Sequence, residues 1–360
     1  MSMKAVFFET APWERRYLAR ALAPHNLQAH FIPEPLTEKH LHEAKGAALL
    51  SVFIYSVLNK KLLSRLPDVR FIATRSTGFD HIDLSACGSA RILVSNVPSY
   101  GENTVAEHTF ALILALSRNI HKAYVKTIKG DFSLEGLQGF DLKGKVIGVI
   151  GGGHIGLHVI RIAKGFGMEV LVHDVRKNLF LSEVLDFQYV PLETLLRSSD
   201  IVSLHVPDLP STHHLMNRTT FGQMKRGALL INTARGGLID TDALVWALDE
   251  AILGGAGLDV LEGEELVKEE RQLRANDFSK EKLATALRNH ILLHRENVVI
   301  TPHIAFDSKE ALQRILETTV TNIAGFLRGA ATNLVNPPTT ESVQAGRHRS
   351  LRRRIAGAPA

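Results

Sequence analysis

Short apolar runs alternate with segments of helical spacing along the first hundred residues. Residues 5–8, 47–54, 70–75 and 92–96 predict strands, and the stretches around 13–21 and 59–66 predict helices. Strand–helix alternation of this kind specifies a parallel α/β sheet, with Pro98 closing the last strand. Residues 99–119 then carry apolar positions suited to a buried helix, followed by an irregular, glycine-bearing stretch over 130–143. The apolar run 110–116 is bracketed by Glu107, His108 and Arg118, too closely for a bilayer span.

From Lys145 the alternation resumes, with strands predicted at 146–150, 170–174, 201–206, 228–234, 256–260 and 298–301. Six such runs separated by helical segments match a doubly wound dinucleotide-binding sheet. Thr220 with Gln223 has the spacing of a capping box, and Asp240 or Thr241 can cap the next helix. The charged, helix-prone segment 264–295 interrupts the rhythm. Beyond it, Asp307-Ser308-Lys309-Glu310 can cap a long helix ending near Gly329.

Within this frame one turn carries a specific signal. The strand at 146–150 runs into Gly151-Gly152-Gly153-His154-Ile155-Gly156, a G-x-G-x-x-G, and Asp174 follows Gly156 by 18 residues at the end of the next strand. Gly151 permits the tight turn, Gly153 lets the backbone approach a pyrophosphate, and Gly156 permits close helix–strand packing. The helix that opens at His154 and Ile155 offers free N–H groups and a positive dipole end. A carboxylate at Asp174 suits the ribose hydroxyls of NAD and repels a 2′-phosphate; Arg176 is the counter-signal that would tolerate NADP.

Composition changes the picture little. Hydrophobic residues make up 45% and charged residues 22% of 360, an ordinary globular balance for about two domains. One cysteine, Cys87, excludes an internal disulfide, and nothing suggests a zinc site, which fits a reducing cytoplasmic location. The N-terminus has no apolar h-region or cleavage site of a signal peptide. The formal charge of +5 sits mostly in residues 337–360, where five arginines against Glu341 give a net of +4. That basic tail is expected to be a solvated, disordered end. The nearly neutral body argues against nucleic acid as a partner, and no membrane association is expected.

Asn232-Thr233-Ala234-Arg235-Gly236-Gly237, Gly257-Leu258-Asp259-Val260-Leu261-Glu262-Gly263-Glu264 and Thr301-Pro302-His303-Ile304-Ala305-Phe306 end later strands. With Ser76-Thr77-Gly78-Phe79-Asp80 and Val97-Pro98-Ser99-Tyr100, these motifs resemble the D-isomer-specific 2-hydroxyacid dehydrogenases over nearly everything up to Asn336. Asp131-Phe132-Ser133-Leu134-Glu135-Gly136-Leu137 and Phe306 resemble the D-lactate dehydrogenase branch. The resemblance implies a Rossmann domain over 101–302 inserted in a flavodoxin-like substrate domain formed by 1–100 and 303–336. It also implies an active site in the cleft between them, and a homodimer built through the helix region 103–119.

The resemblance further implies NAD-dependent, reversible reduction of a small 2-keto acid, with pyruvate and D-lactate as the pair expected here. Arg235 would anchor the carboxylate, His303 would exchange the proton, and Glu264 would be its acidic partner, chosen over Glu262 and Glu265 by family spacing. Gly151, Gly153, His154, Ile155, Gly156, Asp174, His205, Val206, Pro207, Thr233, Ala234, Arg235 and Asp259 would contact the cofactor. Ser76, Thr77, Gly78, Tyr100, Arg235 and Phe306 would contact the substrate. A bulkier 2-keto acid is the alternative within the chemistry. An NAD-sensing, corepressor-like binding protein is the alternative outside it.

Overall fold

The computed structural model of the chain describes residues 2–263 and 280–336. In chain order, the first stretch runs β1 (Met3–Phe7), α1 (Pro12–Leu22), β2 (Leu27–Phe31), α2 (Leu41–Ala44), β3 (Leu49–Val52), α3 (Lys60–Leu63), β4 (Phe71–Thr74), α4 (Leu84–Ala90) and β5 (Leu93–Ser95). It continues with α5 (Glu102–Ser117), α6 (Ile120–Ile128), β6 (Val146–Ile150), α7 (His154–Gly165), β7 (Glu169–His173), α8 (Leu179–Val184), β8 (Gln188–Tyr189), α9 (Leu192–Ser198) and β9 (Ile201–Leu204). Then come α10 (Arg218–Phe221), β10 (Ala228–Asn232), α11 (Thr241–Asp249), β11 (Leu253–Leu258), α12 (Lys280–Leu293), β12 (Val298–Ile300) and α13 (Lys309–Leu327). Two compact units result: residues up to Tyr100 with Ser308 onward, and Gly101–Asp307.

The first unit is a parallel sheet in the order β2-β1-β3-β4-β5, the flavodoxin-like order. Its inner strands β3 and β4 are buried at every position, as a sheet covered on both faces requires. On one face α13 packs Leu316 and Ile323 with Leu18, Leu22 and Phe71, and the Phe326 ring stacks on Phe71 at 4.5 Å. Leu62, Leu63, Ala86 and Cys87 cover the other. The segment after α13 returns to the edge strand. Asn96 N donates to Asn333 O at 3.1 Å and Val335 N to Val94 O at 2.9 Å, which covers the exposed edge of β5.

The second unit is a parallel sheet in the order β12-β11-β10-β9-β6-β7-β8. The chain reverses direction across the sheet between β6 and β9, and ligands of doubly wound sheets bind outside the carboxyl ends at such a switch point. Phe110, Leu112 and Ile113 of α5 and Val159 and Ile160 of α7 cover one face; Leu195, Phe221 and Leu244 cover the other. Among the described residues no helix is long and apolar enough to cross a membrane.

The differences from the sequence reading have physical causes. Edge strand β2 is only half-buried and alternates polar with apolar residues, so it has no apolar run to mark it. Strand β8 has two residues. The capping box belongs to Asn217, whose Oδ1 accepts from Thr219 N and Thr220 N while Thr220 Oγ1 accepts from Asn217 N; Thr220 is the third helical position, not the cap. Asn119, in the left-handed region at φ 51°, ends α5 and allows a separate helix α6 that the sequence reading left unassigned. The chain passes from the second unit to the first at Ser308 rather than 303. The backbone of 303–305 is bonded to Asp259 of the second unit.

One buried charge organises the carboxyl end of the first sheet. Arg75, 1% exposed, follows β4 and donates from Nη2 to Phe8 O (2.6 Å) and Glu9 O (2.8 Å), and from Nη1 to Ser51 Oγ (3.0 Å). Burial pushes the guanidinium pKa down, and the carboxylates of Glu14 and Glu9 oppose that shift. Glu9, at φ 56°, accepts in turn from Phe53 N (2.9 Å), Tyr55 N (2.7 Å) and the Ser56 hydroxyl. Arg75→Met removes the donors to two buried acceptors and one partly buried one. It is expected to lower unfolding stability by about 3 kcal/mol in urea titration; an unchanged midpoint would rule out the clamp.

Candidate active site

The glycine turn meets its packing demands at two of its three positions. Gly151 has φ +101°, and a Cβ there would stand 2.6 Å from His205 O. A Cβ on Gly156 would stand 2.0 Å from Gly151 O, so the helix and the turn touch backbone to backbone. At Gly153, which precedes the first residue of α7, no atom of the described residues beyond its chain neighbours lies within 4 Å of such a Cβ. Glycine at 153 therefore answers no internal packing need, which fits a backbone face kept bare for a pyrophosphate. The first-turn amides of His154, Ile155 and Gly156 have no intrahelical acceptor by geometry and form the positive end of α7.

Asp174 follows β7 directly. Its Oδ2 accepts from Gly152 N at 2.7 Å and its Oδ1 from Arg176 N at 2.7 Å. Each oxygen keeps further lone-pair capacity for ribose hydroxyls, and the two amides fix the carboxylate beside the glycine turn. His205 and Val206 lie against Gly151 from the end of β9, within 3 Å of the position its Cβ would take. The turn beyond is closed by the Thr212 hydroxyl, which donates to Pro207 O at 2.6 Å.

The next three strand ends in sheet order carry Arg235, Asp259 and His303. After β10, buried Asn232 shapes the turn: its Oδ1 accepts from Ala234 N (3.0 Å) and its Nδ2 donates to Arg235 O (2.8 Å). The Thr233 hydroxyl meets that of Thr109 at 3.0 Å, and Arg235 Nη1 donates to Ala234 O at 2.7 Å. Gly236 has no room for a side chain, because a Cβ would stand 2.1 Å from Leu261 O of the neighbouring segment. The Arg235 turn is thus packed against the segment that begins at Asp259.

Asp259, after β11, is 1% exposed, yet both its oxygens are occupied. Oδ1 accepts from Thr301 Oγ1 (2.5 Å) and Ile304 N (2.9 Å), and Oδ2 from Ala305 N (2.9 Å). Burial alone would raise its pKa; bonds from His108, Thr301, Ala305 and Ile304 outweigh that and hold the carboxyl below its ordinary value. His303 N donates to Asp259 O at 2.9 Å, and His303 adopts φ +57°. Only a few per cent of non-glycine residues enter this region, so the surrounding bonds must enforce it. The Phe306 ring lies edge-on to the His303 ring at 6.4 Å.

The matching family model describes the NAD-binding domain of D-isomer-specific 2-hydroxyacid dehydrogenases and covers residues 110–305. The chain belongs to that family. It is 38% identical to a 2-hydroxyacid dehydrogenase homolog of Haemophilus influenzae, over 93% of this chain and all of that one. It is 37% identical to a D-lactate dehydrogenase of Escherichia coli K12, over 91% of this chain and 98% of that one. A D-lactate dehydrogenase structure from Aquifex aeolicus, complexed with NAD and lactic acid, superposes with a TM-score of 0.82 at 37% identity, over 93% of this chain and 100% of that one. This 2-hydroxyacid dehydrogenase is therefore an oxidoreductase with an NAD-binding domain.

In the second unit the residues singled out from the sequence fall along one sheet edge: the glycine turn with Asp174, then His205, Thr233 to Arg235, Asp259 and His303. Glu264 lies outside the described residues. Its neighbour Glu262, the competing choice, is held elsewhere. It accepts from His214 Nε2 (2.7 Å) and from Thr241 Oγ1 (2.6 Å), while Asn289 Nδ2 donates to its backbone oxygen (2.9 Å). In the first unit the hydroxyls of the Ser76-Thr77-Gly78 turn are already engaged within the protein. Ser76 donates to Gly78 O (2.6 Å) and Thr77 to Val97 O (2.8 Å). Tyr100 ends that unit's first stretch, just before α5.

Sequence reasoning missed Asn232, His108 and the positional use of Thr301. Their signals were weak: a polar residue closing an apolar strand, and one histidine among 17, next to Glu107 in the polar first half of α5.

Burial pushes the His205 pKa down to about 3, and its Nε2 lies 2.8 Å from Ser203 Oγ. The folded chain therefore keeps this ring neutral while an unfolded chain protonates it near 6.5. Proton uptake by the unfolded state makes stability fall as pH drops from about 6.5 toward 3. His205→Gln should flatten the fall of the thermal midpoint between pH 7 and 4. A profile as steep as that of the unaltered protein would contradict the assignment.

Proposed function

We propose that the protein interconverts a small 2-keto acid and its D-2-hydroxy acid using NAD, with pyruvate and D-lactate as the preferred pair. The observation that carries this reading is the succession Arg235, Asp259, His303 on adjacent strand ends of the sheet whose glycine turn and Asp174 suit a dinucleotide. Bound NADH would supply the hydride to the carbonyl carbon. Arg235 presents a planar fork that matches the substrate carboxylate and polarises the carbonyl. His303 donates the proton to the carbonyl oxygen in reduction and accepts it in oxidation. Glu264 stands in this reading as the partner that favours the protonated imidazole, because Glu262 is already bonded to His214 and Thr241. The amides of Ser76, Thr77 and Gly78 would hold the carboxylate, with Tyr100 and Phe306 beside its side chain.

The fixed Asp174 carboxylate supports NAD over NADP, since its charge opposes a 2′-phosphate. We place the protein in the cytoplasm and read it as a homodimer. Most apolar side chains of α5, including Phe110, Leu112, Ile113 and Leu116, already pack inside their own unit. The surface better suited to a second copy is the next segment. There Ile120, Tyr124 and Ile128 form an exposed i, i+4, i+8 stripe beside Phe132 and Leu134.

NADH oxidation should be fastest with pyruvate in a panel of 2-keto acids, and much slower with NADPH; no turnover with any member would dismiss the enzyme reading. His303→Ala should lower kcat by roughly 10² while NADH affinity stays within about twofold. Arg235→Ala should raise KM for the keto acid and lower kcat together. Ile128→Asp should halve the mass measured by light scattering in solution. A variant that stays dimeric would move the interface elsewhere.

A further inference from the structure

A second histidine stands behind His303, outside the set expected to touch cofactor or substrate. His108, on α5, places Nε2 3.0 Å from Thr301 Oγ1 and 3.5 Å from Asp259 Oδ1. The Thr301 hydroxyl already donates to Asp259 Oδ1 at 2.5 Å, so its oxygen is the acceptor toward His108 and Nε2 carries the proton. The result is a directed chain: His108 Nε2–H to Thr301 Oγ1–H to Asp259 Oδ1. All three members are in the second unit, on α5, after β12 and after β11.

The far side of Asp259 shows what the chain holds. The carboxylate takes Ile304 N and Ala305 N, and the Asp259 carbonyl takes His303 N. Three consecutive amides are thereby bent around one aspartate, and His303 is forced to φ +57°. Thr301 is bonded to the carboxylate through its side chain and sits two residues before His303. The direction of the His303 Cα–Cβ bond is therefore set by the same group that His108 and Thr301 orient.

We infer that His108 and Thr301 are positioning residues for proton transfer, acting through Asp259 on the backbone turn that aims His303. The inference rests on His303 being the proton donor. It adds that the donor's placement depends on a helix-borne imidazole and a hydroxyl that need touch neither substrate nor cofactor. Displacing a catalytic group by about 1 Å can cost on the order of 10² in rate, so a small change in this turn is large enough to measure.

The test pairs isosteric loss with conservative rescue. Thr301→Val keeps the shape and removes both the donor to Asp259 and the acceptor for His108; Thr301→Ser restores them. His108→Phe removes the N–H, and His108→Gln returns an amide donor at similar reach. Initial rates with NADH and pyruvate, the solvent deuterium isotope effect on kcat, and NADH affinity by fluorescence are measured for each. Thr301→Val is expected to lower kcat about 10- to 100-fold and to raise the solvent isotope effect, as proton transfer becomes limiting. KM for pyruvate and NADH affinity should stay within about threefold. Thr301→Ser should recover kcat to within about threefold, and His108→Phe and His108→Gln should repeat the pattern at smaller amplitude.

An unchanged kcat in Thr301→Val, or a loss shared equally by KM and NADH affinity with no rise in the isotope effect, overturns the inference. If Thr301→Val does not fold, the His108 pair decides by the same readouts. A wild-type protein that reduces no keto acid refutes the proposed reaction instead. The positional claim is then read from the His303 Cε1–H proton resonance, identified by its loss in His303→Ala. A changed chemical shift in His108→Phe that His108→Gln reverses supports the claim, and an unmoved resonance overturns it.

Discussion

The Asp259 carboxylate is a charge taken out of water and given back three donors, and the geometry of the chain after β12 follows from that. An ionised carboxylate buried to this degree is tolerated only when its lone pairs are met. Here they are met by Thr301, Ile304 and Ala305, with His108 close by. Satisfying them requires the chain after β12 to wrap tightly, and a tight wrap puts His303 in a backbone region it would not choose alone. On the other side of Asp259, Leu261 leaves no space for a side chain at Gly236, which brings the Arg235 turn against the same segment. His303 and the Arg235 turn thus both rest against the segment that begins at Asp259.

The first unit solves a similar problem with the opposite sign. Arg75 binds the carbonyls of Phe8 and Glu9 just after β1 and the Ser51 hydroxyl in β3, and the turn it precedes closes on itself through Ser76 and ties to Val97 through Thr77. In both units the loops at the carboxyl ends of parallel strands are tied by a buried charge to neighbouring strand ends. Preorganisation of this kind removes the reorganisation that a flexible loop would need when a ligand arrives.

Much of this was legible in the sequence. Buried parallel strands are continuous apolar runs, and β3, β4, β6, β9 and β10 announced themselves that way. The glycine turn was legible because it joins a buried strand to a helix, and the places of Arg235 and His303 after β10 and β12 because their motifs resemble those of the family. The half-exposed β2 and two-residue β8 were not, since partial burial removes the apolar run on which recognition depends. The web around Asp259 was also hidden. His108 and Asp259 are 151 residues apart in the chain, and no local pattern encodes a contact between them.

The stitching of residues 332–336 onto β5 has a consequence for biosynthesis. The nucleotide-binding unit is one unbroken stretch of chain and can assemble as soon as it clears the ribosome. The other unit is split around it, so its first hundred residues wait, with the β5 edge uncovered, until residues 308–336 have been made. Nascent chains stalled before α13 are the form in which that edge is most open to wrong pairing.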